Sequence, residues 1–160
     1  MKKILQRLLL VLGLAFGVMQ FFGPAKTNSP VDETKTIAAS TPVPAEISVI
    51  LTRACYDCHS NQTRWPWYSH VAPVSWFVVG HVNDARRHLN FSEWAAYNSK
   101  RMKRKLEEIK EEVQDGAMPL PSYLPLHPEA KLSPTDVQAL VAWAIAEHER
   151  LAQADSLVGK

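Results

Sequence analysis

The chain has only two cysteines and a small net charge, and each scarcity excludes a class of protein. Two cysteines cannot build the disulfide framework of a small secreted domain, although they can form one bridge, hold half of a metal site or bind a covalent cofactor. A net charge of +2 over 160 residues is too small to indicate nucleic-acid binding. No basic stripe with interleaved aromatic residues is present either, so we expect no nucleic-acid partner.

The first 25 residues begin with basic side chains and continue into a charge-free apolar run from Leu8 to Phe22. This order is typical of an export signal. The run is short for a membrane span of about 20 residues, and becomes marginal when it is extended to Ile4 or Ala25. No cysteine follows the run, which excludes a lipoprotein anchor. We therefore predict a signal anchor, or alternatively a cleaved signal peptide, over 1–25.

The basic residues Lys2, Lys3 and Arg7 also predict an orientation. The positive-inside rule keeps them in the cytoplasm and places the chain after Ala25 on the other side. The expected location is the bacterial inner membrane with the domain facing the periplasm. If the leader is cleaved, the protein is instead soluble in the periplasm.

Composition divides the rest of the chain into three segments. Residues 26–45 are rich in Thr, Ser and Pro and have no apolar period, which predicts a flexible linker. Residues 46–151 are expected to fold as the domain, which is large enough for a small core. Residues 152–160 are expected to form a short tail.

Apolar periodicity predicts an all-α domain of three to five helices joined by proline-rich loops, preceded by the N-terminal apolar helix. Short helices are expected over 46–54 and 74–88. A third helix is expected to begin at Ser92 as N-cap and to end before Gly116, and the last is expected to begin at Ser133. The predicted buried face of the second helix consists of Val74, Phe77, Val78, His81 and Val82.

The stretch "ACYDCHSN" holds both cysteines, three positions apart, with a histidine directly after them. Thiol–disulfide exchange uses this spacing within a strand-rich pattern, which is missing here. A structural zinc site needs four ligands, and no second cysteine pair exists. C-type haem attachment needs Cys55 and Cys58 as thioether donors and His59 as the proximal iron ligand. Only this third chemistry accounts for all three residues and for the export signal.

Haem iron has a sixth coordination position, for which the sequence offers two residues. Met118 lies in the proline-rich string "DGAMPLPSY", and prolines stiffen a loop that could hold a thioether against iron. His81 is the alternative, because a histidine on an apolar helical face needs a partner. Trp65 and Trp76 follow the attachment motif closely and are candidate residues of an apolar haem pocket.

Several strings together resemble the bacterial haem-binding domain family, a group of small membrane-anchored or exported proteins similar to c-type cytochromes. The strings are "CYDCHSN", "WPWY", "APVSWF", "LNFSEW", "DGAMPLPSY" and "AKLS", together with His81. The resemblance extends over nearly all of 46–151. It implies one haem c bound through Cys55, Cys58 and His59, and leaves Met118 and His81 both open as the distal ligand.

The order of attachment motif, methionine loop and C-terminal helix is also similar to class I cytochromes c, in which the first and last helices cross. That likeness implies a contact between 46–54 and 134–150. The expected function is electron transfer in the periplasm, and the alternative is a haem-based sensor with a displaceable sixth ligand. No nucleophile–base pair or carboxylate dyad indicates an enzyme. The expected partners are the membrane, redox proteins and the cytochrome c maturation machinery.

Overall fold

The computed structural model describes residues 1–158, and this part of the chain is helical without strands. Its α-helices are α1 (Lys2–Met19), α2 (Ile37–Ser40), α3 (Ala45–Ala54), α4 (Tyr56–His59), α5 (Val74–His88), α6 (Ser99–Gln114) and α7 (Pro134–Val158). Short 3₁₀ segments cover Gln20–Phe22, Glu33–Lys35, Trp67–His70, Phe91–Ala96, Leu124–Leu126 and Pro128–Ala130. The prediction of an all-α fold preceded by an apolar helix is confirmed.

A single core lies between α3, α6, α7 and the 3₁₀ segment that precedes α6. Its fully buried large side chains are Trp94, Phe91, Ile37, Ile47, Leu51, Leu106 and Leu140. Helix α3 contacts α7, as the likeness to class I cytochromes c implied. Arg53 joins the two helices through a salt bridge of 2.7 Å to Asp136 and donates to the carbonyl oxygens of Glu129 and Lys131. These contacts hold the helix that ends at Cys55 against the rest of the domain.

The beginning of α7 is capped as the sequence predicted. The Ser133 hydroxyl accepts from the Asp136 backbone N–H at 3.1 Å, and the Asp136 carboxylate accepts from the Ser133 backbone N–H at 2.7 Å. This reciprocal pattern satisfies backbone donors that the first turn of a helix leaves unpaired. The backbone and hydroxyl of Ser133, followed by Arg53, lower the pKa of Asp136 from 3.8 to about 2.

Asp136 is therefore expected to make stability depend on acid pH. Because its folded pKa lies below the unfolded value, its contribution is present above about pH 4 and is lost as the pH falls towards about 2. Asp136→Asn should lower the free energy of unfolding at neutral pH by about 1 kcal/mol, allowing for solvent screening. Urea denaturation at several pH values should show this difference shrinking in acid; a constant difference would contradict the ion-pair role.

Helix α6 begins later than predicted. The segment Phe91–Ala96 is 3₁₀, and Glu93 has non-helical φ/ψ of −122° and 26°. The α-helix starts at Ser99, where the Asn98 side chain accepts from the Arg101 backbone N–H at 2.9 Å. Ser92 is therefore not the N-cap, because its side chain is buried and its hydroxyl accepts instead from the Asn61 backbone N–H at 3.0 Å. Gly116 follows α6 with a φ of +66°, which confirms its predicted role.

Helix α5 spans the predicted residues, but its buried face shares only Val82 with the predicted one. Its buried residues are Ser75, Val79 and Val82, whereas Val74 is 42 % and Phe77 58 % exposed. Apolar period alone shows which residues share a face, and it does not show whether protein or another apolar medium covers them.

The predicted flexible linker over 26–45 is packed against the domain in part. Ile37 is completely buried in the core, and the indole N–H of Trp143 donates to the Pro42 carbonyl at 3.0 Å. Nearer α1, the Arg86 guanidinium donates to the Thr27 carbonyl and to the side chain of Asn28. Burial of Ile37 and the several hydrogen bonds donated by Arg86 thus order a polar segment that has no apolar period.

The predicted tail begins inside α7, which continues to Val158. Asp155 accepts hydrogen bonds from Ser99 and Lys103, so this part of the helix lies against the beginning of α6. The last two residues of the predicted tail, 159 and 160, lie outside the described residues.

Candidate functional site

The two cysteines and the following histidine lie on one short helical turn. Cys55 lies between α3 and α4, and its carbonyl accepts from the backbone N–H groups of Cys58 at 3.2 Å and His59 at 2.8 Å. Residues three apart on a helix are neighbours on its surface. The turn therefore presents both thiols on one side, with the imidazole next in the chain.

The ring of His59 is fixed by a carbonyl from a distant part of the chain. Its Nδ1–H donates to the Leu89 carbonyl at 3.1 Å, which leaves the lone pair of Nε2 free. Burial lowers the pKa of His59, so the ring is neutral near pH 7. Metal-binding histidines usually donate their second ring N–H in this way, because the bond fixes the tautomer and the ring orientation. His59 thus has the form of an iron ligand.

The two thiols are not set up for redox exchange. Both cysteines are free and partly exposed as residues, although the surrounding protein desolvates their thiol groups. This desolvation, followed by the neighbouring Cys58, raises the pKa of Cys55 to about 12; desolvation, followed by Asp57, raises that of Cys58 to about 11. Reactive cysteines have lowered pKa values, because the thiolate is the nucleophile.

In the haem-free protein, alkylation of these thiols is therefore expected to be slow. At pH 8 the thiolate fraction of a thiol with a pKa raised by two units falls about a hundredfold, and the rate with iodoacetamide should fall with it. The rate in the folded protein can be compared with that in urea by mass spectrometry. Equal rates in both would show that the thiol environment is not as described.

A polar network connects the attachment turn to the proline-rich segment after Met118. Asp57, on α4, accepts from the Tyr123 hydroxyl at 3.1 Å and from Arg64 at 3.2 Å. The Tyr123 ring stacks on His127 at 3.9 Å, and the Tyr68 hydroxyl bonds to His127 Nε2 at 2.7 Å. Burial raises the pKa of both tyrosines, so their hydroxyls stay protonated at neutral pH.

The sequence reasoning missed this network and a second one around Arg86. Arg86 donates to the Ser60 carbonyl at 2.8 Å and to the Thr63 hydroxyl at 2.7 Å, just after the attachment turn. Its guanidinium lies 6.0 Å from the Trp65 ring centroid. Asp57, Tyr68 and Tyr123 fall inside the quoted strings, although the strings assign them no role, and nothing local marks Arg86 or His127.

The other predicted site residues lie in different surroundings. Met118 is partly buried, and its backbone N–H donates to the Glu112 carbonyl at the end of α6 at 3.0 Å. His81 is also partly buried, and its Nδ1–H donates to the Phe77 carbonyl at 2.9 Å, which leaves Nε2 free. Trp76 donates its indole N–H to the Phe22 carbonyl, at the end of the apolar N-terminal helix. The pocket roles of Trp65 and Trp76 stay predictions.

The zinc alternative finds no support in the ligand set. Within residues 1–158, no group of three or more His, Cys, Asp or Glu side chains comes together in a way that could hold a metal ion. A structural zinc site needs four such ligands. Cys55, Cys58 and His59 share one turn without converging on a single ion, and this arrangement fits covalent haem attachment, in which the thiols bind the macrocycle and only the imidazole binds iron.

An all-α domain that presents this donor set fits the class of haem proteins. The family model described as haem-binding domain matches residues 14–146, which is most of the chain. The protein is therefore a member of the haem-binding domain family, and haem is the cofactor that this membership assigns. No curated protein and no solved structure matches the chain.

Proposed function

We propose that the protein is a membrane-anchored monohaem cytochrome of the c type that transfers electrons in the periplasm. The observation that carries the proposal is the attachment turn. Cys55, Cys58 and His59 share one hydrogen-bonded turn, and the His59 ring is held by the Leu89 carbonyl with Nε2 free. When bound, haem supplies an iron that gains and loses a single electron.

The residues around the turn orient and shield the iron ligand. Phe91 meets His59 edge-on at 6.4 Å and stacks with Tyr56 at 5.5 Å, so the imidazole lies against the aromatic part of the core. A ring that is packed on one side and hydrogen-bonded at Nδ1 needs little rearrangement when the charge of a bound iron changes. Little rearrangement is what favours an electron carrier over a catalyst, and we propose no enzymatic activity.

The proposal includes retention of the apolar N-terminal helix as a membrane anchor. The helical segment Lys2–Phe22 has 21 residues and a mean hydropathy of 1.8, which is enough for an anchor or a signal sequence. Its end is hydrogen-bonded to the domain through Gln20 and Phe22, and the family match begins inside α1. Both observations favour a retained anchor. The basic residues Lys2, Lys3 and Arg7 favour an orientation with the domain on the periplasmic side, where the maturation machinery attaches haem and redox partners are met.

Haem staining of the denatured protein tests the proposal. The chain is produced in a bacterial host with c-type maturation, next to Cys55→Ala/Cys58→Ala. Covalent haem in the native chain should survive denaturation and should be lost completely in the double variant, because no other cysteine is available. An unstained native chain with bound, extractable haem would limit the function to non-covalent haem binding. A native chain without any haem would overturn the proposal.

A further inference from the structure

Large apolar side chains are exposed together around the beginning of α5. Trp67 is 75 % exposed, Phe77 58 %, Val74 42 % and Trp76 41 %. These four residues are called the α5 patch here. Soluble domains seldom leave several large aromatic side chains exposed in one place, and such a patch marks a surface that something covers. It includes two residues of the face that the apolar periodicity predicted to be buried.

The end of the N-terminal helix is fastened beside this patch. The Gln20 side-chain amide donates to the Ala72 carbonyl at 3.2 Å, and the Ala72 backbone N–H donates to the Gln20 Oε1 at 2.9 Å. The Trp76 indole N–H donates to the Phe22 carbonyl at 2.9 Å. Three hydrogen bonds thus join residues 20–22 to the turn and helix that carry the patch.

The length of the anchor places this junction at the membrane surface. The 21 residues of Lys2–Phe22 rise about 1.5 Å each, or about 31 Å in all, close to a hydrocarbon core of about 30 Å, with Lys2, Lys3 and Arg7 reaching one surface along their flexible side chains. With the basic residues at one surface, Gln20 and Phe22 reach the other. Because Ala72 and Trp76 are hydrogen-bonded to Gln20 and Phe22, the beginning of α5 lies in the interfacial region, where tryptophan is enriched in membrane proteins.

We propose that the α5 patch docks into the interfacial layer of the bilayer that α1 spans. The indole and phenyl rings lie among the lipid headgroups and upper acyl chains, and the Gln20–Ala72 pair fixes the orientation of the domain on the membrane. The haem domain is then a docked body rather than one that swings on a long tether. This inference rests on the retained anchor of the proposed function and adds the surface that the domain turns towards the lipid.

Photo-crosslinking in a bilayer tests the docking. The full-length haem-loaded protein is placed in nanodiscs of phosphatidylcholine and phosphatidylglycerol, with benzoylphenylalanine incorporated in place of Phe77. A matched control carries it in place of Val49, which is 63 % exposed on α3, a helix with no hydrogen bond to α1 in the described part of the chain. After illumination, intact mass spectrometry should show phospholipid adducts at position 77 at least about tenfold above those at position 49.

Gln20→Ala tests the fastening in the same assay. Loss of the two hydrogen bonds to Ala72 should lower the phospholipid adducts at position 77 about tenfold, while the haem mass stays on the chain. Equal adducts at positions 77 and 49, or adducts to a second copy of the chain, would overturn the docking. If the variant at position 77 loses haem and gives no lipid adducts, the docking is also overturned, and the patch is assigned to the haem cleft instead.

The same mass spectrum separates this failure from that of the proposed function. If the spectrum shows a chain without its leader, both the anchor and the docking are refuted, although covalent haem would still be detected on that chain. A full chain with covalent haem but no adducts above the control refutes only the docking. A chain without covalent haem that still gives adducts at position 77 supports the docking and refutes the cytochrome proposal.

Discussion

Trp94→Ala is expected to lower the free energy of unfolding by about 3–5 kcal/mol, because it empties the largest fully buried site in the core. The Trp94 side chain has no exposed surface. It packs against Phe91 at 6.4 Å between ring centroids and meets Tyr97 edge-on at 5.7 Å. A loss of this size is a large fraction of the total stability of a small domain. Urea denaturation followed by far-UV circular dichroism measures it.

Trp94→Phe is the matched control. The indole Nε1 of Trp94 is buried without a hydrogen-bond partner among the described residues, so removing it relieves an unsatisfied donor. Phenylalanine keeps most of the apolar volume, and we expect a loss below about 2 kcal/mol. If both variants lose the same stability, the packing explanation fails. In that case the indole N–H contributes more to the free energy of unfolding than its lack of a hydrogen-bond partner indicates.

Trp94→Ala is also expected to disturb the attachment turn. Phe91 contacts both Trp94 and His59, and Leu89, two residues earlier, supplies the carbonyl that fixes the His59 ring. A cavity beside Phe91 frees this segment to shift. Haem loading of Trp94→Ala should therefore fall relative to Trp94→Phe, when the two are compared at equal amounts of protein by haem absorbance.

The features that the sequence predicted well are local ones. The bounds of α5 and the beginning and end of α3 follow from apolar period and nearby prolines. Gly116 and Ser133 were placed correctly because the preferences at helix ends act within a few residues. The pattern of the attachment motif was equally readable, since Cys55, Cys58 and His59 fall within five residues of one turn, and their role in haem attachment stays a prediction. In each case the determining contacts are encoded side by side in the chain.

The features that were missed depend on contacts between distant residues. Nothing near Leu89 shows that its carbonyl accepts from a histidine 30 residues earlier. The order within 26–45 depends on Arg86 and on the core position of Ile37, neither of which a composition rule detects. The buried face of α5 was predicted correctly only at Val82, because an apolar period shows which residues share a face and does not show what covers them.

The distal ligand gives the second large expected effect. Met118→Ala should open the sixth coordination position, so that a ferrous protein which ignores carbon monoxide becomes one that binds it rapidly. His81→Ala should leave the spectrum and the lack of binding unchanged. Visible spectra of the reduced proteins, before and after addition of carbon monoxide, measure both variants under identical conditions.

The structure supplies a reason to favour Met118 over His81. The segment that follows Met118 returns to the attachment turn, where the Tyr123 hydroxyl donates to Asp57 of α4. His81 packs instead on Phe77, with ring centroids 4.1 Å apart, and Phe77 belongs to the exposed α5 patch. The opposite outcome, in which only His81→Ala opens the iron, would make the protein a bis-histidine cytochrome with a lowered potential. Binding of carbon monoxide by the unmodified chain would mean that the sixth position is displaceable, and would favour a sensor over an electron carrier.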